Sequence, residues 1–218
     1  KIRSGLSNTR VHAEYVAEMA RQLIFTQYGN EAYTRGLNVY TTLNAGDQEA
    51  AYTALRRGIM DYERRQQYRG PEKFVSLPAG TGQDVEEAID DALTNHVDNG
   101  DVLAAVVLEA SAKKVVVARG NGDAIEITGD GLKPVQSGLS DKAPPNIKIR
   151  RGAIIRIVKT PKNTWEITQL PEVEGAFVAV DPRSGAIKAL VGGFDFDKNK
   201  FNHVSQAWRQ PGSSFKPF

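Results

Sequence analysis

The sequence predicts an α+β chain: a mostly helical first stretch, a small β-barrel in the middle, and a hairpin followed by the start of a helix. Three observations carry this. Apolar residues recur at helical spacing near the beginning, and five short β-branched runs separated by turn residues fill the middle. Two apolar runs then flank Asp181-Pro182-Arg183-Ser184-Gly185 near the end.

In the first stretch, Val16, Met19, Ala20, Leu23 and Ile24 fall on one helical face, and Gly29-Asn30 supplies a stop. Residues 37–43, opened by Gly36, are short, β-branched and aromatic, and read as a strand. Asn44 is placed to cap a second helix, on which Ala51, Leu55, Ile59 and Tyr62 share an apolar face. Arg56, Arg57, Arg64, Arg65 and Arg69 crowd the remainder, which reads as a solvated face rather than a nucleic-acid groove.

A Gly/Pro-punctuated connector, 71–82, leads into the middle stretch. A short acidic helix follows, with Asp84, Glu86, Glu87, Asp90 and Asp91 around Val85, Ala88 and Ile89. So many acids near one substrate would repel one another, so they read as solvent-facing rather than as an acid/base pair. Strands are expected over 102–109, 114–118, 124–128, 153–158 and 164–168, with turns at Gly120-Asn121-Gly122 and Pro161-Lys162-Asn163. Five short strands so spaced suggest a small closed barrel of the oligonucleotide/oligosaccharide-binding (OB) kind. Lys148, Arg150, Arg151, Arg156 and Lys159 form a basic strip with no acid among them. Such a strip on an OB-like barrel can hold single-stranded nucleic acid, but Trp165 stands almost alone among the aromatics that would stack bases. A charged outer face is the preferred reading, a protein-partner surface the next, and no nucleic-acid partner is expected.

Residues 176–180 read as an apolar strand, Asp181 to Gly185 as a turn, and 186–191 as the returning strand, ended by Gly192-Gly193. The chain then reaches Arg209-Gln210-Pro211-Gly212-Ser213-Ser214-Phe215-Lys216. Ser213 and Lys216 form a Ser-x-x-Lys, and on a helix residues three apart share a face with Cβ atoms about 5–6 Å apart. A serine hydroxyl needs a base to become a nucleophile, and a lysine serves only when uncharged. Desolvation and the positive end of a helix dipole both favour the neutral amine. Pro217 suits the first turn of a helix, which places Gly212 or Ser213 near the N-cap, where free N–H groups can stabilise an oxyanion. Alone, the pattern favours the plain reading of a capping serine with a solvated lysine.

Composition removes several chemistries. A net charge of +2 gives no general case for nucleic acid or an anionic membrane. Without cysteine, disulfides, thiol catalysis and thiolate metal sites drop out. His12, His96 and His203 lack ligand spacing, so neither a metal nor a cofactor is expected. No run has the length of a membrane span, and Lys1-Ile2-Arg3-Ser4 lacks a signal-peptide core. Both ends read as cut from a longer chain.

The residues around Ser213 carry a further signal. The run from Glu174-Gly175-Ala176-Phe177-Val178-Ala179-Val180-Asp181-Pro182-Arg183-Ser184-Gly185 to Leu190-Val191-Gly192-Gly193 resembles the opening hairpin of the transpeptidase domain of class A penicillin-binding proteins. Phe194-Asp195-Phe196, Phe201-Asn202, Gln206-Ala207 and Arg209 to Phe218 continue it. Gly36 to Leu43 and Gln48-Glu49-Ala50-Ala51 resemble the linker after that family's glycosyltransferase domain, and the barrel resembles the domain inserted in 1a-type members. His203, where the family usually carries a basic residue, and Val204 and Ser205 are mild departures.

The resemblance implies a linker over 1–70, an inserted OB-like docking domain over 71–172, and the N-terminal part of a serine β-lactamase-like transpeptidase domain over 173–218. It implies a D,D-transpeptidase in a bifunctional peptidoglycan synthase, with Ser213 and Lys216 catalytic, stem peptides ending in D-Ala-D-Ala and β-lactams as ligands, and anchorage on the periplasmic side of the bacterial inner membrane. An outer-membrane lipoprotein activator is the implied partner of the inserted domain. The family's Ser-x-Asn and Lys-Thr-Gly motifs are expected further along the parent chain, and the 218-residue piece by itself is expected to be inactive.

Overall fold

The computed structural model describes residues 11–80, 82–120 and 123–216. The chain divides into two compact units, 1–60 with 173–218, and 61–172.

In the first unit, α1 (Glu14–Tyr28) ends at Gly29, whose φ of 56° gives the left-handed exit that glycine adopts without strain. A 3₁₀ turn over Gly29–Tyr33 follows. The expected strand at 37–43 is not one. The segment runs outside any sheet, and just beyond it the Asn44 N–H donates to the Lys188 carbonyl at 3.0 Å. Asn44 caps α2 (Ala45–Glu63) as expected, its Oδ1 accepting from the Asp47 N–H at 3.1 Å. Ala51 and Ile59 are buried along α2, whereas Tyr62 is largely exposed.

The hairpin is as read from the sequence. Strand β7 (Phe177–Val180) pairs antiparallel with β8 (Ile187–Val191), Val178 opposite Leu190, with a bulge between Ala179 and Val180. Ala51 of α2 packs with Ala189 and Val191 of β8. In the turn, Asp181 Oδ1 accepts from the N–H groups of Arg183 and Ser184, both at 2.9 Å, and Gly185 takes a φ of 73°.

The second unit is built on a sheet ordered β1 (Lys73–Phe74), β5 (Ala153–Lys159), β2 (Val102–Ala110), β3 (Lys114–Ala118) and β4 (Ala124–Thr128), with β6 (Trp165–Thr168) also on β5. Every pairing is antiparallel. The five expected strands are present; β1 was not foreseen, having only two residues. Strand period sorts the side chains onto two faces. On one, Val107, Val117, Ile127, Ile155, Ile157 and Ile167 meet Leu132, Val135 and Leu139 from a 3₁₀ turn (Gly129–Val135) and α4 (Gln136–Leu139). On the other, Val106, Ala118 and Ile154 meet Val85 and Ile89 of α3 (Gln83–Thr94), whose acids face solvent as expected.

The expected closed barrel is instead an open, branched sheet. Strands β1 and β6 occupy the same edge of β5, β1 at Ala153–Ile154 and β6 at Arg156–Lys159, and among the described residues neither pairs with β4. A strand of two residues cannot carry closure, and the segment 129–139 covers the inner face in place of a closing strand. Gly131 permits this close approach, because a Cβ there would collide with the Trp165 carbonyl. The proposed turn residues Asn121 and Gly122 lie outside the described residues.

Candidate functional site around Ser213

The segment leading to Ser213 is fixed from the first unit's helices by three buried polar side chains. Gln48 of α2 is fully buried; its Oε1 accepts from the Leu190 N–H at 2.8 Å and its Nε2 donates to the Leu190 carbonyl at 2.9 Å. The same Nε2 donates to the His12 carbonyl at 2.6 Å. This one amide therefore satisfies the backbone of β8 on the edge away from β7, as a neighbouring strand would.

Arg56, one of the arginines expected in solvent, is instead 5% exposed. Its guanidinium lies 4.0 Å from the centroid of the Phe194 ring and donates to the Phe194 carbonyl at 3.0 Å. Phe194 itself donates its N–H to Glu174 Oε2 at 3.0 Å. Tyr15 of α1, also buried, donates its hydroxyl to the Asn199 carbonyl at 2.8 Å and meets the Phe196 ring edge-on. Burial, then the nearby Glu174 and Asp195 carboxylates, hold the Tyr15 phenol well above its usual range, so it stays a donor. Gly192 and Gly193 are the narrow point: a Cβ on Gly193 would overlap the Tyr15 hydroxyl, and one on Gly192 would meet the Asn202 amide. Asn202 is buried, with its N–H on Gln206 Oε1 at 2.7 Å and its Oδ1 accepting from the Val204 N–H at 3.0 Å.

Beyond Gln206 the chain is largely exposed. Ser213 lies in a 3₁₀ turn (Gly212–Phe215), and the Lys216 N–H donates to the Ser213 carbonyl at 3.2 Å. In such a turn residues i and i+3 eclipse, so Ser213 and Lys216 stand on one face. Both are exposed, and among the described residues their side chains do not hydrogen-bond each other. Pro217 lies outside the described residues. Of the residues now seen to hold this segment, Gln48 and Asn202 lay inside stretches singled out in the sequence, whereas Tyr15 and Arg56 gave no signal of burial.

The other candidates resolve differently. Arg156 does not belong to a charged outer face: it is 5% exposed and grips Glu72 through Nε–Oε1 at 2.7 Å and Nη2–Oε2 at 2.9 Å. Its Nη1 donates to the Val97 carbonyl at 2.7 Å, and His96 Nδ1 lies 2.9 Å from Glu72 Oε2. Arg151 donates to the carbonyls of Pro78, Gly80 and Leu108, and Lys148 to that of Ser140. Arg150 lies over the Phe74 ring and Lys159 over Trp165. The basic strip is thus engaged within its own unit. Glu63 is buried against Arg69 at 2.6 Å, and Glu166 against Arg64, with burial raising the Glu166 carboxyl despite that arginine. Among the described residues no group of His, Asp and Glu is placed to hold a metal ion, and no helix is long and apolar enough to cross a membrane.

Comparison with known proteins follows the same division. Residues 68–173 match the family described as the penicillin-binding protein OB-like domain. Penicillin-binding protein 1A of Neisseria lactamica is 41% identical over 94% of this chain and 26% of its own length. The protein of that name from Pseudomonas aeruginosa is 36% identical over 95% of this chain and 25% of its own. The crystal structure of penicillin-binding protein 1A from Haemophilus influenzae matches with a TM-score of 0.80 at 28% identity, covering 95% of this chain and 30% of that one. The chain belongs to the penicillin-binding protein family of the 1A type and carries its OB-like domain. It spans about a quarter of the length of these curated relatives.

Proposed function

We propose that this chain is part of a peptidoglycan D,D-transpeptidase in which Ser213 is the acyl-accepting nucleophile. Ser213 Oγ attacks the carbonyl between the two residues of a terminal D-Ala-D-Ala, and Lys216, as the free amine, takes the hydroxyl proton and returns it to the departing D-Ala amine. The amine of a neighbouring stem peptide then attacks the acyl-serine and restores the hydroxyl. A β-lactam acylates the same oxygen. The parent is read as a bifunctional synthase with a glycosyltransferase, anchored in the inner membrane with these units in the periplasm.

The observation that carries this reading is the Ser-x-x-Lys on a single helical turn, with both side chains on one accessible face, in a chain of this family. The test is labelling of the full-length protein by a fluorescent penicillin. Ser213→Ala is expected to abolish it; a variant that labels like the parent overturns the assignment. The 218-residue piece alone is expected not to label, and stoichiometric labelling would refute that.

A second reading concerns residues 61–172, which form a unit with its own core and a basic strip spent on internal contacts. That favours a non-catalytic docking module for a cell-envelope regulatory protein, such as an outer-membrane lipoprotein activator, over an oligonucleotide binder. Retention of such a protein by an immobilised 61–172 fragment supports it. Retention of no envelope protein, or salt-sensitive binding of oligonucleotides instead, counts against it.

A further inference from the structure

The turn that carries Ser213 is entered through a backbone conformation that glycine adopts without strain and other residues do not. Gly212 has a φ of 56°, and it follows Pro211, whose φ of −69° and ψ of −21° are ordinary. The Ser214 N–H donates to the Pro211 carbonyl at 3.1 Å, so Gly212 and Ser213 are the central residues of a hydrogen-bonded turn. Ser213 does not have a positive φ, so the first central residue alone is left-handed, which is the type II′ pattern. The next turn follows at once, with the Lys216 N–H on the Ser213 carbonyl at 3.2 Å. Ser213 and Lys216 therefore lie together on the far side of the Gly212 joint.

We infer that Gly212 is a positioning residue for Ser213: its left-handed φ sets the direction in which the Ser213–Lys216 turn is aimed from the chain before it. The inference rests on the reading of Ser213 as nucleophile. Other residues hold φ near about −60°, so a side chain at 212 that relaxes to that value turns everything beyond it by about 120° around one bond. The hydrogen bond from Lys216 to Ser213 lies beyond that bond and is untouched, while the hydroxyl is carried away from its place. A nucleophile displaced by an ångström reacts far more slowly although the remaining structure is intact. Keeping the left-handed φ instead costs a side-chain-bearing residue a factor of about five to thirty in population. By either route, fewer molecules hold Ser213 correctly aimed.

Substitutions at 212 can separate conformation from size. Alanine adds the least bulk but does nothing to ease a positive φ. Asparagine is larger, yet it is accepted at the left-handed positions of such turns. Valine adds a β-branch, which suits a positive φ worst. In the full-length protein, the second-order rate constant for acylation by a fluorescent penicillin is expected to fall about five- to thirtyfold in Gly212→Ala. Gly212→Val should lose more and Gly212→Asn least. The thermal midpoint should stay near the parent's in all of them, because the change is confined to one joint in a local turn.

A Gly212→Ala rate constant within about twofold of the parent's overturns the inference. So does a loss in Gly212→Asn as large as that in Gly212→Ala, which would make size the cause, or a loss of rate that merely follows the thermal midpoint across the variants. Ser213→Ala run alongside separates the two ideas. If it still labels, the nucleophile reading has failed. If it does not label while Gly212→Ala acylates like the parent, only the positioning role has failed.

Discussion

Arg156→Met tests whether the second unit is held by an internal ion pair. Arg156 is 5% exposed and makes two charge-assisted bonds to Glu72 and one to the Val97 carbonyl. Methionine fills much of the same volume but takes both Arg156 bonds from Glu72 and leaves that carbonyl without this donor. Removing one partner of a buried pair costs about 3–5 kcal/mol. Glu72 retains 28% exposure and its contact with His96, which brings the expectation down to about 2–3 kcal/mol. Glu72→Gln should cost about 1–2 kcal/mol, and the double variant should cost less than the sum by about 1 kcal/mol or more.

Urea unfolding followed by tryptophan fluorescence is the assay. Trp165 sits in β6 beside the pair's strand, whereas Trp208 is 97% exposed and contributes a nearly constant signal. The pH dependence gives an independent check. Burial of Glu72 tends to raise its carboxyl, but the hydrogen bonds from Arg156 and His96 prevail and hold it below the usual 4.5. A depressed carboxyl contributes stability that is present above its usual value and is lost as pH falls through the folded-state value. The gap between parent and Arg156→Met should therefore be widest near neutrality and narrow in acid. A change below about 0.5 kcal/mol, or a gap that widens in acid, would refute the reasoning.

Two other outcomes follow from the backbone and the hairpin turn. Gly152 has a φ of 82° and a Cβ there would run into the Val75 carbonyl, whereas Gly129 is also left-handed but has open space around it. Gly129→Ala should cost about 1 kcal/mol from φ alone and Gly152→Ala at least about 2 kcal/mol more, read from the same urea midpoints; equal effects would show that the clash relaxes freely. Asp181 is held below its usual 3.8, first by the backbone N–H of Ser184 and then by that of Arg183. Its contribution is present above that value and lost as pH falls through the folded-state one, so hydrogen-exchange protection of the β7–β8 amides should decline in acid. In Asp181→Asn, which keeps the acceptor without the charge, that decline should disappear; an unchanged profile would exclude Asp181 as its source.

The sequence was legible wherever one segment's own chemistry decides its conformation. Asn44 caps α2, Gly29 ends α1, Asp181 and Gly185 build the hairpin turn, and the strands of the middle unit follow their β-branched runs. Each of these depends on side chains acting on backbone within a few residues. The Ser-x-x-Lys pattern is likewise local, which is why the turn carrying Ser213 and Lys216 was visible as a candidate.

What the sequence left undecided depends on partners far along the chain. Residues 37–43 have strand composition, but β8's outer edge is already satisfied by the Asn44 N–H and the Gln48 amide. The barrel does not close because β1 and β6 share one edge of β5, a fact of register rather than of strand propensity. Arg56 and Arg156 sit in runs that look solvated, yet both are buried, because Phe194 and Glu72 are brought to them by the fold. A sequence states which groups each residue can offer; only the folded chain determines which of those groups are withdrawn from water, since burial and pairing arise from residues that meet across many others.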